Sequence, residues 1–272
     1  SNYFKLKLQL YKTFSLLLCK TFTTMKQTRI ISFYTDKGGT GKTTMNVTLC
    51  SYLAYKLGLN VIMFDTDHPS LHAFELRKRE LEAVEKDEEL RNYVQQSFSQ
   101  DIRPYEIFPV KEDFDKVIKT LQTVKSTSRY DYIIIDLPGA LNNAFVKKIV
   151  PARIIDSYYL PTTLDKTVMV SNIKLAKLLK SYADDVQFVW NNVFHYDKAE
   201  MYDAYSRMLI ESYGISVLKS RVKNTVYFRR EMGSERSFFK STLCYPEAFI
   251  NKNRSNISDL FNEIIEVKAN DG

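Results

Sequence analysis

The stretch Arg29-Ile-Ile-Ser-Phe-Tyr-Thr-Asp36-Lys37-Gly38-Gly39-Thr40-Gly41-Lys42-Thr43-Thr44 runs from an apolar segment through a glycine-rich turn into a helical pattern. A strand, a glycine loop, Lys-Thr and a helix, in that order, form a phosphate-binding loop. Gly38, Gly39 and Gly41 let the backbone curl so that its N–H groups point at phosphate oxygens. The helix N-terminus adds partial positive charge. Lys42 is placed to reach the β- and γ-phosphates of a nucleotide and the Thr43 hydroxyl to ligate Mg²⁺, with Thr40 and Thr44 completing the cradle. The usual pattern has glycine at the first position, where this chain has Asp36.

Outward from the loop, apolar runs alternate with helical patterns to the end of the chain. Strands are expected at Ile30–Tyr34, Asn60–Asp65, Tyr105–Val110, Asp131–Asp136, Asp156–Leu160, Val186–Asn191 and Gly214–Leu218. Val61-Ile-Met-Phe64 and Tyr132-Ile-Ile-Ile135 are almost wholly apolar, as parallel strands covered on both faces should be. Helical patterns occupy Lys42–Leu57, Leu71–Phe98, Asp113–Thr123, Val168–Tyr182, Ala199–Tyr213 and Ile257–Val267. Leu71–Phe98, dense in both signs of charge, reads as one long solvated helix. The expected class is α/β: a doubly wound, mostly parallel sheet with helices on both faces, the P-loop NTPase fold. Residues 25–272 read as one such domain, and residues 1–24 as an extension ahead of it, non-native or flexible.

The chain has 272 residues, of which 44% are hydrophobic and 26% charged, so extended disorder is not expected. No apolar run is long enough to span a bilayer. Cys19, Cys50 and Cys244 form no Cys-x-x-Cys pair, which argues against a disulfide framework or zinc ribbon and for a reducing, cytoplasmic setting. His68, His72 and His195 read as ordinary loop or surface residues. The net charge of +7 is concentrated. Residues 1–24 carry +4 and residues 219–240 carry +5, leaving −2 for the rest. In the first segment the apolar core Phe14–Cys19 is too short for a signal peptide and no cleavage site follows; a basic amphipathic arm is the other reading. The second is either a footprint for a polyanion or a solvated helix face.

Lys37 ahead of the glycine pair turns the loop into Lys-Gly-Gly-x-Gly-Lys-Thr-Thr, a deviant Walker A sequence. In this the chain resembles the ParA/MinD family of partition and positioning ATPases over most of residues 27–267. The resemblance implies ATP and Mg²⁺ as cofactors and a homodimer closed around ATP, with Lys37 contacting the partner's phosphates. Phe64-Asp65-Thr66-Asp67 is similar to the family's Asp-x-Asp element, which implies that Asp67 activates the attacking water and Asp65 supports the Mg²⁺ shell. Tyr130-Asp-Tyr-Ile-Ile-Ile-Asp136-Leu-Pro-Gly139 looks like the Walker B strand and second switch, with Asp136 on Mg²⁺ through water. Phe188-Val-Trp-Asn191-Asn192 ends where the family often reads adenine with Asn, favouring Asn191. Asp36, Thr40 in place of a common Val, and Ser70 in place of a common Gln depart from the pattern.

Other branches fit less well. Iron–sulfur relatives need cysteine clusters, related tyrosine kinases need a terminal tyrosine cluster, and the chain's acidic end does not suit an anionic membrane. A short ParA-type protein remains: a weak Mg²⁺-dependent ATPase that dimerises with ATP and binds DNA non-specifically, through Arg221, Lys223, Arg229 and Arg230. It would act in partitioning a chromosome, plasmid or mobile element, with a partner protein stimulating hydrolysis. Two alternatives are a positioning ATPase on a membrane or protein scaffold and a non-hydrolysing ATP-dependent interaction module.

Overall fold

The computed structural model describes residues 27–96, 98, 104–111, 113–230, 232, 238–252 and 255–269. The extension read at residues 1–24, with Cys19, lies outside the described residues. In chain order the elements begin with β1 (Arg29–Phe33) and α1 (Lys42–Ser51), which continues as a π-helical turn over Tyr52–Lys56. Next come β2 (Val61–Asp65), α2 (His72–Lys86), α3 (Glu88–Gln96), β3 (Glu106–Pro109), α4 (Phe114–Ser126), β4 (Tyr132–Asp136) and α5 (Ala144–Ile149). The second half holds β5 (Ser157–Thr162), α6 (Lys166–Leu179), β6 (Asp185–Val193), α7 (Ala199–Tyr213), β7 (Ser216–Lys223), a 3₁₀ turn at Val226–Phe228, α8 (Glu247–Lys252) and α9 (Ile257–Ala269).

The strands form one seven-stranded sheet in the order β3-β2-β4-β1-β5-β6-β7, and every neighbouring pair is parallel. Period-2 alternation divides the central strands between two cores. Ile30, Ile133, Ile135 and Leu160 face a layer built with α4, α5, α6 and α7. Ile31, Phe33, Ile134 and Tyr159 face one built with α1, α2 and α9. Each central strand is therefore apolar on both faces, which is why its sequence reads as an unbroken hydrophobic run. This is the P-loop NTPase α/β fold, with the carboxyl ends of β1, β2 and β4 gathered at one rim.

Two expectations change. The long helix read over Leu71–Phe98 is two helices, because Asp87 is extended and its carboxylate caps the next helix by accepting from the Leu90 N–H at 3.0 Å. It is not purely solvated either: Ala73, Leu76 and Glu80 are buried against the rest of the molecule. Over residues 219–230 the basic stretch is no α-helix face, since β7 runs on to Lys223 before the 3₁₀ turn. Two short helices, α5 and α8, were not foreseen.

The two sheet edges are closed differently. β3 is four residues long and contains Pro109, which has no N–H to offer. Along β7, the Lys219 and Ser220 amides donate to the two carboxylate oxygens of Glu263 on α9 at 2.7 and 2.8 Å. The Lys223 amide donates to the Ser255 carbonyl.

Candidate nucleotide site

The loop after β1 turns into α1 at Gly41, whose φ of 93° is open to glycine and strained for other residues. A methyl group there would also meet Asn191 Nδ2 at 2.9 Å. That nitrogen donates to the Thr40 carbonyl at 2.7 Å, so Asn191, at the end of β6, braces the loop from beneath. The Thr40 side chain is buried, and its hydroxyl lies 3.4 Å from the Lys37 carbonyl. Lys42 folds back over the loop and donates to the same carbonyl at 3.2 Å. Burial pulls its ammonium pKa down, opposed by Asp136, Asp67 and Asp36. The Lys37 side chain is half-buried, and among the described residues its ammonium makes no hydrogen bond or ion pair.

Asp65 and Asp136 end adjacent strands and stand opposite each other in the β2–β4 register. Both are fully buried. The Thr43 hydroxyl donates to Asp136 Oδ2 at 2.7 Å and Asn46 Nδ2 to Oδ1 at 2.8 Å. Asn46 also brackets the Phe33 peptide, accepting from its N–H and donating to its carbonyl. Burial, aided by the Asp65 charge, pushes Asp136 up to about 7, against the pull of Thr43, Asn46 and Lys42. Asp65 is raised by burial as well, against N–H donors from Phe74, Asp67 and Ala73. Its Oδ2 accepts from the Ala73 and Phe74 amides at 2.9 and 3.0 Å, so it caps the start of α2. Asp67, two residues past the end of the strand, is half-buried.

A carboxylate driven toward protonation, beside a second carboxylate and a threonine hydroxyl, suits a hard cation. Among the described residues no group of three or more His, Cys, Asp or Glu could hold a metal by itself. Mg²⁺ matches such a sparse donor set, because it keeps waters and takes phosphate oxygens beside one or two protein ligands. Thr43 and Asp136 are the residues that would hold it, with Asp65 behind them.

Beside the loop lies a cleft whose walls include Gly39, Thr44, Asn191, Asn192, Phe228 and Arg229. Sequence reading weighed both asparagines and favoured Asn191 over Asn192, which takes φ 55°; it did not place Phe228 at the site. It also missed Asn46, although an amide side chain between the apolar Met45 and Val47, one helical turn past Lys42, was a usable signal.

The four basic candidates sit in different local environments. Arg221 pairs with Asp203, donates to the Ala199 carbonyl at 3.2 Å, and lies 5.3 Å over the Tyr202 ring. Arg230 lies 5.0 Å over Tyr227. Lys223 is exposed at the end of β7, and Arg229 is exposed at the mouth of the cleft.

A family model described as an AAA domain matches residues 28–185. No curated protein matches the chain. Among solved structures, the cell-division ATPase MinD of Pyrococcus furiosus is similar at 17% identity over 88% of this chain and 99% of that one, with a TM-score of 0.60. A ParA family ATPase from Chlorobium tepidum is similar at 16% identity over 87% and 96%, with a TM-score of 0.53. An ATP complex of a McdA variant from Cyanothece is similar at 12% identity over 88% and 96%, with a TM-score of 0.57. At these identities the likeness is one of fold.

Proposed function

The chain belongs to the AAA-domain family matched over residues 28–185, as a ParA/MinD-type protein with a deviant Walker A loop, and from that premise we propose that it is an ATP-driven dimerising switch. The observation that carries this reading is the pair of lysines on one short loop. Lys42 rests on the Lys37 carbonyl, while the Lys37 ammonium has no partner among the described residues. One cation is seated for the bound triphosphate and the second is available to another.

In this reading Gly38, Gly39, Thr40, Gly41 and Thr44 wrap the phosphates, and Lys42 exchanges its carbonyl contact for the β/γ-phosphates. Thr43 and Asp136, with support from Asp65, would hold Mg²⁺, which would supply neutralisation of the phosphate charge. Asp67 orients and activates the attacking water. Lys37 reaches the partner's nucleotide and offsets charge that builds on the transferring group. Asn191 meets the base while it braces Thr40. Hydrolysis is weak in isolation and is stimulated by a partner protein; the dimer binds DNA non-specifically in partitioning a chromosome, plasmid or mobile element. Lys223 and Arg229 are the exposed members of the basic set, Arg230 can contribute beside Tyr227, and Arg221 supports the strand that carries Lys223. No helix among the described residues is long and apolar enough to cross a membrane.

The test is phosphate release and DNA retention by the full chain without nucleotide, with ADP, and with ATP and Mg²⁺, at low and moderate salt. Lys42→Ala should abolish turnover and Asp67→Ala should lower it by about 10²-fold or more. DNA retention should require ATP, fall steeply with salt, and be lost in Lys37→Ala and in the Arg229→Ala/Arg230→Ala pair. ATP turnover with no DNA retention in any state would move the role to a protein or membrane scaffold. ATP binding without phosphate release would leave an interaction module.

A further inference from the structure

Asp36 brings a negative charge to the first position of a loop built for anions. Its carboxylate does not point into the cradle. The Ser171 hydroxyl of α6 lies 2.7 and 2.8 Å from its two oxygens, and the contact spans 135 residues of sequence. The neighbouring positions repeat the pattern: the Thr35 hydroxyl donates to Asn172 Oδ1 at 2.7 Å. Asn172 in turn donates to the Pro161 carbonyl and the Thr162 hydroxyl at the end of β5. Two consecutive loop residues are thus pegged to two consecutive residues of α6. The helix cannot easily follow the loop, because Met169, Ile173, Leu175 and Ala176 are buried against the sheet and Asp165 caps its first turn.

We propose that Ser171 is a positioning residue that holds the Asp36 carboxylate away from the bound triphosphate and from the two loop lysines. The proposal rests on the ATP reading above. Released from Ser171, Asp36 has two outlets, and both oppose nucleotide binding. It can turn toward the phosphates and repel them, or it can pair with Lys37 or Lys42 and occupy a cation meant for phosphate. Its charge already acts on the Lys42 ammonium from its present position. A hydroxyl suits the task better than a lysine would. It donates to a carboxylate without adding a cation that would compete for the anion the loop must hold. The clamp should matter more for ATP than for ADP, because the extra phosphate adds negative charge at the loop.

The experiment is a fluorescence titration of the full chain with mant-ATP and mant-ADP in Mg²⁺ buffer, for wild type, Lys42→Ala, Ser171→Ala, Ser171→Thr, Asp36→Asn and Asp36→Asn/Ser171→Ala. Ser171→Ala should weaken ATP binding by about 3- to 10-fold, the scale of one ordinary net hydrogen bond, and weaken ADP binding less. Ser171→Thr, which restores the hydroxyl, should return to within about twofold of wild type. Asp36→Asn/Ser171→Ala should bind like Asp36→Asn, because without the carboxylate there is nothing to restrain. Thermal melts of each variant separate a loss of affinity from a loss of fold. The clamp is overturned if Ser171→Ala binds ATP as wild type does, or if its loss persists undiminished in the Asp36→Asn background. A wild type with no saturable, Lys42-dependent ATP signal would instead remove the nucleotide reading, and the clamp with it.

Discussion

A methyl group on Gly139 would stand 2.9 Å from the Lys42 ammonium nitrogen. That nitrogen is the tip of a flexible side chain, so the fold can yield while the lysine cannot keep its place. Gly139→Ala should therefore melt within a few degrees of wild type but bind ATP about tenfold more weakly, read by calorimetric titration beside a thermal scan. Gly41→Ala makes a useful contrast, since its left-handed φ and its approach to Asn191 Nδ2 lie in the backbone turn itself, and there stability should fall as well. At this scale the sequence disclosed whatever is local. Lys37 through Thr44 form one continuous signal, and Asp65 and Asp136 each end an apolar run. Ser171 could not be seen, because a serine in a helical pattern carries no mark of the aspartate 135 residues away that it will meet. Asp36 itself was visible as a departure, but its orientation depends on that distant helix.

Strand β7 illustrates what changes at the level of elements. The central strands are buried on both sides and read as strands by composition alone. β7 lies at an edge and buries only Leu218 and Val222 among its last six residues, so the basic residues that alternate with them concealed its length. That extension gives Arg221 and Lys223 different environments. Arg221→Ala removes an ion pair to Asp203, a bond to Ala199 and the contact over Tyr202, and should cost about 1–2 kcal/mol in urea unfolding. Lys223→Ala should stay within about 0.5 kcal/mol of wild type. Equal losses in the two variants would mean that the Arg221 contacts add nothing. The break between α2 and α3 was legible in principle, since Asp87-Glu88-Glu89 is a helix start; the continuous charge pattern across it hid the restart.

Across the whole molecule, α2 ties the nucleotide rim to the far end of the chain. Asp65 caps its first turn, and further along Arg77 and Glu80 grip Thr242. Arg77 donates to the Thr242 hydroxyl and carbonyl, each at 2.8 Å, and to the Tyr105 carbonyl at 3.1 Å. The Thr242 amide donates to Glu80 Oε2 at 2.8 Å, and the Thr242 hydroxyl donates to the same oxygen. Burial pushes Glu80 up to about 7 from an ordinary 4.5, against the pull of the Thr242 and Ser241 hydrogen bonds and of Arg77. A carboxyl raised in the folded state holds its proton there longer than in the unfolded chain. Stability is therefore greatest below the unfolded value of 4.5 and falls as pH rises toward 7. Between pH 5 and pH 8 the wild type should lose on the order of 2–3 kcal/mol relative to Glu80→Gln, measured as the difference in urea midpoints at the two pH values. A constant difference would mean that Glu80 does not change protonation on unfolding. No sequence pattern announced this grip, because Glu80 sits among equally charged neighbours that face water.

The carboxylate of Glu263, set across the Lys219 and Ser220 amides, bears on how copies of the chain behave when crowded together. An open edge strand offers another chain a row of unused donors, and sheets that grow by adding strands begin there. Here one acidic side chain occupies two of those donors and puts a negative charge where an incoming backbone carbonyl would have to dock. At the opposite edge, a short strand with a proline offers little to add to. Among the described residues, neither edge of the sheet thus leaves an open ladder for the backbone of another copy to extend.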